Sequence, residues 1–357
     1  MEPAMHSLKR KIRVLVIDDS ALVRKTITDT LQMDPDIEVV GVANDPLIAI
    51  DKIPKLQPDV LTLDMEMPRM DGLTFLRKLK AENSPIPVVV ISSLTQQGSK
   101  LALDAMEAGA CEVLAKPDGH SSIGVLAVKL AYHIKAAAKA RRDIPAPPAA
   151  KQGPKFAAPI ASRLGGDRRL LVIGSSTGGV EALRYILPAL PSNLPPIAVV
   201  QHIPAYFSKA VADRINSLSG MEVREASDND PLVPGVCLIA PGDYHMMIIK
   251  QGGYRVRLLQ TPPVHHCRPA VDVLFRSAAS AAGPHALGVL LTGMGSDGAR
   301  GLQAIKESGG HSLAQDQQSS VIYGMPKAAV DLGVVDRSVN LQAMPKTIVE
   351  TLNKIAG

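Results

Sequence analysis

Apolar runs and helical patterns alternate along the first part of the chain, from Lys11 to about His133. The run IRVLVIDD is typical of a buried parallel strand, and the following SALVRKTITDTLQMDP has the period of a helix that ends near Pro35. Four further apolar runs are separated in the same way by helical patterns, namely IEVVGVAND, DVLTLDMEMP, IPVVVISSL and CEVLAKP. Five strands that alternate with helices predict an α/β unit with a doubly wound parallel sheet.

The alternation then stops at a segment without hydrophobic period, RRDIPAPPAAKQGPKFAAPIASRLGG. Its Pro, Ala, Gly and Lys residues are typical of a linker that the prolines keep partly extended. A second series of strand patterns begins at Arg169, with LLVIGSS, IAVVQHIP, EVREAS, VCLIAP, HALGVLLTGMG and HSLAQD. We therefore predict domains at residues 10–133 and 168–357 and a linker at 134–167. The second domain is predicted to be α/β, mostly parallel with some antiparallel strands.

Composition narrows the classes of function. The chain has 357 residues, of which 46% are hydrophobic and only 3% aromatic, with no Trp, so an aromatic platform for single-stranded nucleic acid is not expected. The net charge of +5 is concentrated between Lys135 and Arg169, where a basic linker explains it as well as a polyanionic partner does. We expect no nucleic-acid partner.

Three widely spaced cysteines form no CxxC pair, which favours a reducing cytoplasm. No apolar signal segment is evident at the N-terminus, and no apolar run approaches the roughly 20 residues of a membrane-spanning helix. We expect a cytoplasmic protein that is not inserted into a membrane.

Acidic residues lie at the ends of two strands of the first domain. Asp18 and Asp19 close the first strand and Asp64 closes the third, and the carboxyl ends of parallel strands form the ligand crevice of such a sheet. Clustered carboxylates suit Mg²⁺, and Ser92 and Lys116 at the same edge suit the oxygens of a phosphoryl group. Taken alone, Asp19 is explained equally well as a helix cap.

The motifs VLVIDDS, LTLDMEMPRMDG, VVVISSL and VLAKP resemble the receiver domain of two-component response regulators. The resemblance implies a flavodoxin-like fold and phosphorylation of Asp64 by a histidine kinase. It also implies Mg²⁺ held by Asp18 or Asp19, by Asp64 and by the backbone carbonyl of Glu66. Ser92 stands where this family has Ser or Thr, and Ser92 and Lys116 are the residues that the phosphoryl group draws toward itself.

The second domain contains a literal G-x-S-x-G pattern at Gly174–Gly178, between a strand and a helical pattern. The pattern suits a serine nucleophile or an anion-binding turn, although it lacks both GxGxxG and the lysine of a P-loop. Ser176 needs a base, and His202 ends the next strand; Asp297 follows a later strand and supplies an acid. Alternatively, His202 is a solvent-bonded residue and Asp297 an N-cap. The order Ser, His, Asp differs from the Ser, acid, His order of α/β-hydrolases.

The stretches GSSTGG, VVQHIP, APGDYHM, RPAVDVLF, LLTGMGSDGA and AQDQQSSVIYGMP resemble the catalytic domain of bacterial chemotaxis methylesterases. That family has a Rossmann-like doubly wound domain without a cofactor. The resemblance implies Ser176 as nucleophile, His202 as general base and acid, and Asp297 as the residue that orients the imidazole. It places Thr177 and Met294 at the oxyanion.

The same resemblance implies a phosphorylation-activated hydrolase. Its substrates are glutamate methyl esters and specific glutamines of methyl-accepting chemoreceptors, and its phosphodonor is a chemotaxis histidine kinase. The chain departs from the family pattern at Ser175, Cys267 and Gln317. Three consecutive residues such as His265, His266 and Cys267 rarely converge on one ion, so no zinc site is expected there. Two rival hypotheses are a docking module without chemistry and a DNA-binding regulator that uses the basic linker.

Overall fold

The computed structural model describes residues 10–92, 96–116, 123–140 and 168–355, with backbone only at 96–99, 115 and 123–129. The chain forms two compact units, Met1–Ala140 and Arg141–Gly357. In the described ranges, no helix is both long enough and apolar enough to span a bilayer.

The first unit is built on a five-stranded sheet. Its strands are β1 (Ile12–Ile17), β2 (Ile37–Ala43), β3 (Val60–Asp64), β4 (Val88–Ser92) and β5 (Glu112–Ala115). They lie in the order β2-β1-β3-β4-β5, and every pairing is parallel. The predicted five-stranded parallel sheet and its flavodoxin-like order are confirmed. All positions of β3 and β4 are buried, which explains their continuous apolar runs.

The helices that connect these strands are α1 (Ala21–Gln32), α2 (Pro46–Leu56), α3 (Gly72–Ala81), α4 (Gln96–Glu107) and α5 (Ile123–Lys139). Ser20, Asp45 and Asp71 cap the first three helices with side-chain oxygens that accept backbone N–H groups. The linker predicted to start at residue 134 begins too early, because α5 continues to Lys139 along buried Ile134 and Ala137. Most of that linker, residues 141–167, lies outside the described residues.

The second unit contains a seven-stranded parallel sheet in the order β15-β14-β13-β6-β7-β10-β8. These strands are β6 (Leu170–Ser175), β7 (Ile197–Gln201), β8 (Glu222–Glu225), β10 (Val236–Ile239), β13 (Ala286–Leu290), β14 (His311–Gln315) and β15 (Arg337–Val339). A small antiparallel sheet, in the order β11-β12-β9, combines β9 (Pro231–Leu232), β11 (His245–Lys250) and β12 (Tyr254–Leu259). The prediction of a mostly parallel α/β unit with some antiparallel strands is confirmed.

The helices of this unit are α6 (Gly179–Ala189), α7 (Ala205–Asn216), α8 (Val271–Ala282), α9 (Ala299–Glu307), α10 (Met325–Asp331) and α11 (Met344–Lys354), with a short 3-10 turn at Gly283–His285. Helix α8 contacts α9, β6 and β11, and its Leu274, Phe275 and Ala278 are fully buried in the core. The packing of α8 across β6 holds one face of the sheet and brings the start of α8 to the carboxyl ends of the strands.

Strand β6 lies at the point where the strand order reverses. Its partner β7 continues the sheet on one side, and β13, which is far away in the chain, pairs on the other side. In open α/β sheets, the crevice at the carboxyl ends beside such a reversal is the usual ligand site. The loops after β6, β7 and β13 therefore line the expected ligand site.

Candidate active site

Ser176 follows the last residue of β6 and is almost completely buried, with 1% of its surface exposed. Ser175 pairs with Gln201 in the register of β6 and β7, and the backbone N–H of His202 donates to the Ser175 carbonyl at 3.0 Å. Ser176 and His202 are therefore the first residues after two adjacent strands. The Ser176 Oγ atom has no hydrogen-bond partner among the described residues, so it forms no hydrogen bond to His202 in this structure.

Gln201 fixes the backbone of both residues, a role that the sequence analysis missed. Its Nε2 donates to the carbonyls of Ser176 at 2.9 Å and of His202 at 3.1 Å, and its Oε1 accepts from the Ser175 hydroxyl at 2.6 Å. A Cβ atom on Gly179 would lie 2.2 Å from that Oε1, which requires glycine there. The only local signal was an amide at the end of an otherwise apolar buried strand.

His202 and Asp297 form a buried pair. The His202 Nε2 lies 2.8 Å from the Asp297 Oδ2. Burial alone would raise the pKa of Asp297, but its contacts with His202 and with backbone N–H groups hold this pKa below its ordinary value. Burial disfavours the imidazolium, but the sulfur of Cys267 and the carboxylate of Asp297 outweigh it and raise the pKa of His202.

The Asp297 carboxylate sits on the first turn of α8. The backbone N–H of Val271 donates to Oδ2 at 2.7 Å, and that of Asp272 donates to Oδ1 at 2.9 Å. A helix N-terminus stabilises a negative charge, so this site favours the ionised acid. Asp297 thus caps a helix, as the alternative hypothesis held, but it caps α8 rather than the helix that follows it.

Asp272, on α8, accepts N–H groups from α9 in the same way, and the sequence did not indicate this role. Its Oδ1 accepts the backbone N–H of Gly298 at 3.0 Å and of Gly301 at 2.7 Å, and both residues belong to the start of α9. Its Oδ2 faces the His265 Nε2 at 3.1 Å. The side chain is buried, so it fixes the backbone that carries Asp297.

Donor atoms of His265, Asp272 and Asp297 all lie within 4.8 Å of one another, which raises the question of a metal ion. Both oxygens of Asp297 and one of Asp272 already accept backbone N–H groups, and His265 faces the remaining Asp272 oxygen. A cation there would have to displace these donors, so the set does not fit a metal site.

Thr177 and Met294, predicted to line the oxyanion, lie on the loops that follow β6 and β13. Thr177 is the next residue and precedes Gly178, whose φ of 79° lets the chain enter α6. Gly293 lies against Ser176, since a Cβ on Gly293 would be 2.7 Å from the Ser176 Cβ, and Met294 follows Gly293. The start of α6 adds a positive helix end to this region.

The first unit brings the predicted acidic residues together at the carboxyl edge of its own sheet. Carboxylate oxygens of Asp18, Asp19 and Asp64 lie within 4.8 Å of one another. The Lys116 Nζ is 2.7 Å from the Asp64 Oδ2 and 3.3 Å from the Asp18 Oδ2. Burial and then the charge of Asp64 raise the pKa of Asp18, as expected for acids that one ammonium balances only in part. These oxygens fit a hard divalent cation such as Mg²⁺.

Ser92 and Glu66 are the other residues predicted for this site. Ser92 is buried at the end of β4, beside the strand that carries Asp64. The side chain of Glu66 is exposed, and the role of its backbone carbonyl stays a prediction.

Two protein-family models match the chain. Residues 14–124 match the response regulator receiver domain, and residues 171–348 match the CheB methylesterase. The chain is 50% identical to the protein-glutamate methylesterase/protein-glutamine glutaminase 2 of Syntrophus aciditrophicus, over 95% of this chain and 98% of the relative. It is 47% identical to the protein-glutamate methylesterase/protein-glutamine glutaminase 4 of Anaeromyxobacter dehalogenans, over 99% of both chains.

Among solved structures, the second unit is similar to the CheB methylesterase catalytic domain of Thermotoga maritima. The identity is 39% and the TM-score 0.50, and the match covers 52% of this chain and 99% of that domain. The similarity therefore extends to both fold and sequence over the part of the chain that contains Ser176, His202 and Asp297.

Proposed function

Because this chain belongs to the family of protein-glutamate methylesterases/protein-glutamine glutaminases, we propose that it demethylates and deamidates chemoreceptors during sensory adaptation in chemotaxis. It is a hydrolase of carboxylic esters and amides, with a receiver domain ahead of the hydrolase domain. The observation that carries the assignment of its catalytic residues is the buried His202–Asp297 pair, in which His202 follows the strand next to the one that precedes Ser176.

Ester cleavage begins with Ser176. Its Oγ attacks the carbonyl carbon of a methylated glutamate side chain, and the Oγ proton passes to the Nδ1 of His202, because Nε2 is held by Asp297. Backbone donors around Thr177 and Met294 and the N-terminus of α6 stabilise the tetrahedral oxyanion. The intermediate collapses, His202 returns the proton to the leaving oxygen, and methanol departs.

Deacylation uses the same groups. Water attacks the acyl carbon while His202 takes one of its protons, and Ser176 leaves as the alcohol when that proton is returned to Oγ. The product is the free glutamate carboxylate. With a glutamine side chain the first leaving group is ammonia, and the second half of the reaction is unchanged.

The receiver domain supplies the control. A chemotaxis histidine kinase phosphorylates Asp64, whose carboxylate lies beside Lys116 at the edge of the parallel sheet. Asp18, Asp19, Asp64 and the Glu66 carbonyl would hold Mg²⁺, which neutralises phosphoryl charge when bound. Ser92 and Lys116 then respond to the new phosphoryl oxygens and raise the rate of ester hydrolysis. We place this activity in the cytoplasm, where the kinase acts.

Methanol release from membranes that carry methylated chemoreceptors tests the proposal, measured with the full chain with and without a small-molecule phosphodonor. We expect methanol release that the phosphodonor increases. Ser176→Ala should abolish turnover while the protein stays folded and still binds the membranes, because only the attacking oxygen is removed. Receptor binding without any methanol release by the wild-type chain would instead indicate a docking module.

A further inference from the structure

Both ring nitrogens of His202 are already in contact with a side chain. Nε2 is 2.8 Å from Asp297, and Nδ1 is 3.5 Å from the Sγ of Cys267. Asp297 is itself held by two backbone N–H groups of α8, so the Nε2 side of the ring is fixed. Nδ1 is therefore the nitrogen that remains for the Ser176 proton, and the cysteine sulfur lies against it.

Ser176, the proposed nucleophile, makes no hydrogen bond to the Nδ1 of His202, whereas the sulfur of Cys267 contacts this nitrogen. The Ser176 Oγ is buried and has no hydrogen-bond partner among the residues that the structure describes, although its strand neighbours the one that ends at His202. A buried hydroxyl without a partner is unfavourable, and here it is the group that the reaction must activate. In the proposed reaction, the hydroxyl must give its proton to the nitrogen that the sulfur now contacts.

The position of the sulfur is set by the backbone around it. Val264 and Cys267 exchange two backbone hydrogen bonds, of 2.9 and 3.1 Å, across a turn whose central residues, His265 and His266, have φ values of 51° and 61°. Positive φ at both central positions is the geometry of a tight type I′ turn. The next residue, Arg268, is anchored to Asp243 at 2.6 Å.

We propose that Cys267 is a positioning residue for the hydrolysis: its sulfur holds the Nδ1 edge of His202, and Ser176 transfers its proton only when the sulfur releases that edge. This inference rests on the function proposed above. It predicts that the cysteine restrains the enzyme at neutral and low pH and takes no part in bond making.

The charges around the ring give the direction of the effect. Asp297 contacts Nε2 and Cys267 contacts Nδ1. Donor atoms of Asp272 and His265 lie within 4.8 Å of the Asp297 carboxylate. Burial opposes the imidazolium, and the sulfur and Asp297 together raise the pKa of His202. Removing the sulfur, with its contact to Nδ1 and its negative charge, therefore removes one cause of the raised pKa of His202 and favours the unprotonated base.

The test compares full-length wild type, Cys267→Ala and Cys267→Ser in methanol release from methylated receptor membranes across pH. For Cys267→Ala we expect the acid limb of kcat/KM to move to lower pH, so that the rate at pH ~6 rises by at least about threefold with KM unchanged. Cys267→Ser, which keeps a polar atom, should lie between the two. Cys111→Ser, in the other unit, controls for loss of a thiol.

A pH profile of Cys267→Ala that superimposes on wild type, or a lower rate at every pH from a protein that melts normally, would overturn the inference. Ser176→Ala is measured in the same assay. If that variant keeps wild-type turnover, the proposed function itself fails, whereas an inactive Ser176→Ala beside an unshifted Cys267→Ala removes only the role of the cysteine.

Discussion

At the scale of single residues, the chemistry depends on a charge relationship between two buried groups. His202 and Asp297 are both nearly inaccessible, and their pKa values move apart, that of the imidazole upward and that of the acid downward. Each shift has the other residue among its causes, so the pair is stabilised as imidazolium and carboxylate. Such a pair holds the ring in one orientation and would support the positive charge that forms during the proposed attack by Ser176.

A first prediction concerns pH. Only unprotonated His202 accepts the Ser176 proton, and its pKa is raised, so kcat/KM of the wild type should rise with pH through a midpoint above the ordinary value of about 6.5. Asp297→Asn removes the negative charge that favours the imidazolium, so the midpoint should move to lower pH. By analogy with other triads, kcat should also fall by about 10³–10⁴.

The measurement is the pH dependence of methanol release, with Asp213→Asn as the matched control. Asp213 is an exposed aspartate on α7 that pairs with Lys209, so its loss should leave the profile unchanged. A kcat for Asp297→Asn within tenfold of wild type would contradict the assigned role of the acid.

At the scale of secondary-structure elements, helices α8 and α9 exchange caps. Asp297, just before α9, accepts N–H groups from the first turn of α8, and Asp272, in the first turn of α8, accepts N–H groups from the start of α9. Neither helix has a side-chain cap from its own N-cap residue, since these residues are Ala270 and Gly298. The acid of the proposed triad is thus also part of the structure that joins two helices.

A second prediction follows for Asp272. Asp272→Ala leaves the N–H groups of Gly298 and Gly301 without their acceptor, which should lower the free energy of unfolding by about 1–3 kcal/mol. The loop that carries Asp297 should also lose its fixed position, so kcat should fall at least about tenfold. Asp272→Asn keeps an acceptor oxygen and should retain most of both properties.

Urea unfolding of fragment 165–357 and methanol release by the full chain measure these two effects. The Asn variant is the matched control, because it differs from the wild type in charge but preserves the acceptor for both helices. Equal losses in the Ala and Asn variants would show that the charge of Asp272, and not its cap, is what matters.

At the scale of the whole molecule, the proposed phosphorylation site and the proposed catalytic site lie in different units. Asp64 belongs to Met1–Ala140 and Ser176 to Arg141–Gly357, and the predicted linker lies between these two residues in sequence. Phosphorylation changes the charge at Asp64 by roughly one negative charge and adds three acceptor oxygens. We expect the unphosphorylated receiver domain to inhibit the hydrolase and phosphorylation to relieve that inhibition.

A third prediction compares fragment 165–357 with the full chain. The fragment should release methanol at least about fivefold faster than the unphosphorylated full chain, which is within the usual range of allosteric coupling. A phosphodonor should raise the rate of the full chain and leave the rate of the fragment unchanged. Asp64→Asn should keep the basal rate and lose the response. Asp51→Asn, an exposed acid on α2, serves as the control. Equal rates of fragment and unphosphorylated full chain would exclude inhibition by the receiver domain.

Much of this architecture was predictable from local pattern. Parallel strands buried on both faces must be continuously apolar, so the runs around Val14, Leu61 and Val172 identified strands without any knowledge of their partners. Polar residues at the ends of such runs must face the crevice, which was enough to select Asp64, Ser176 and His202. The start of the linker at residue 134 was placed too early, because α5 continues to Lys139 and buries residues beyond that boundary.

Contacts between residues far apart in the chain were not predictable in this way. Strand order placed β13 beside β6, which brings Asp297 to His202 across 95 positions. Gln201, Asp272 and Cys267 act on backbone groups or a ring nitrogen that other elements supply, so no periodicity in the sequence marks them. Hydrophobic burial acts on each segment and leaves a readable pattern. Hydrogen bonds at the ends of strands and helices are chosen only when the elements pack together.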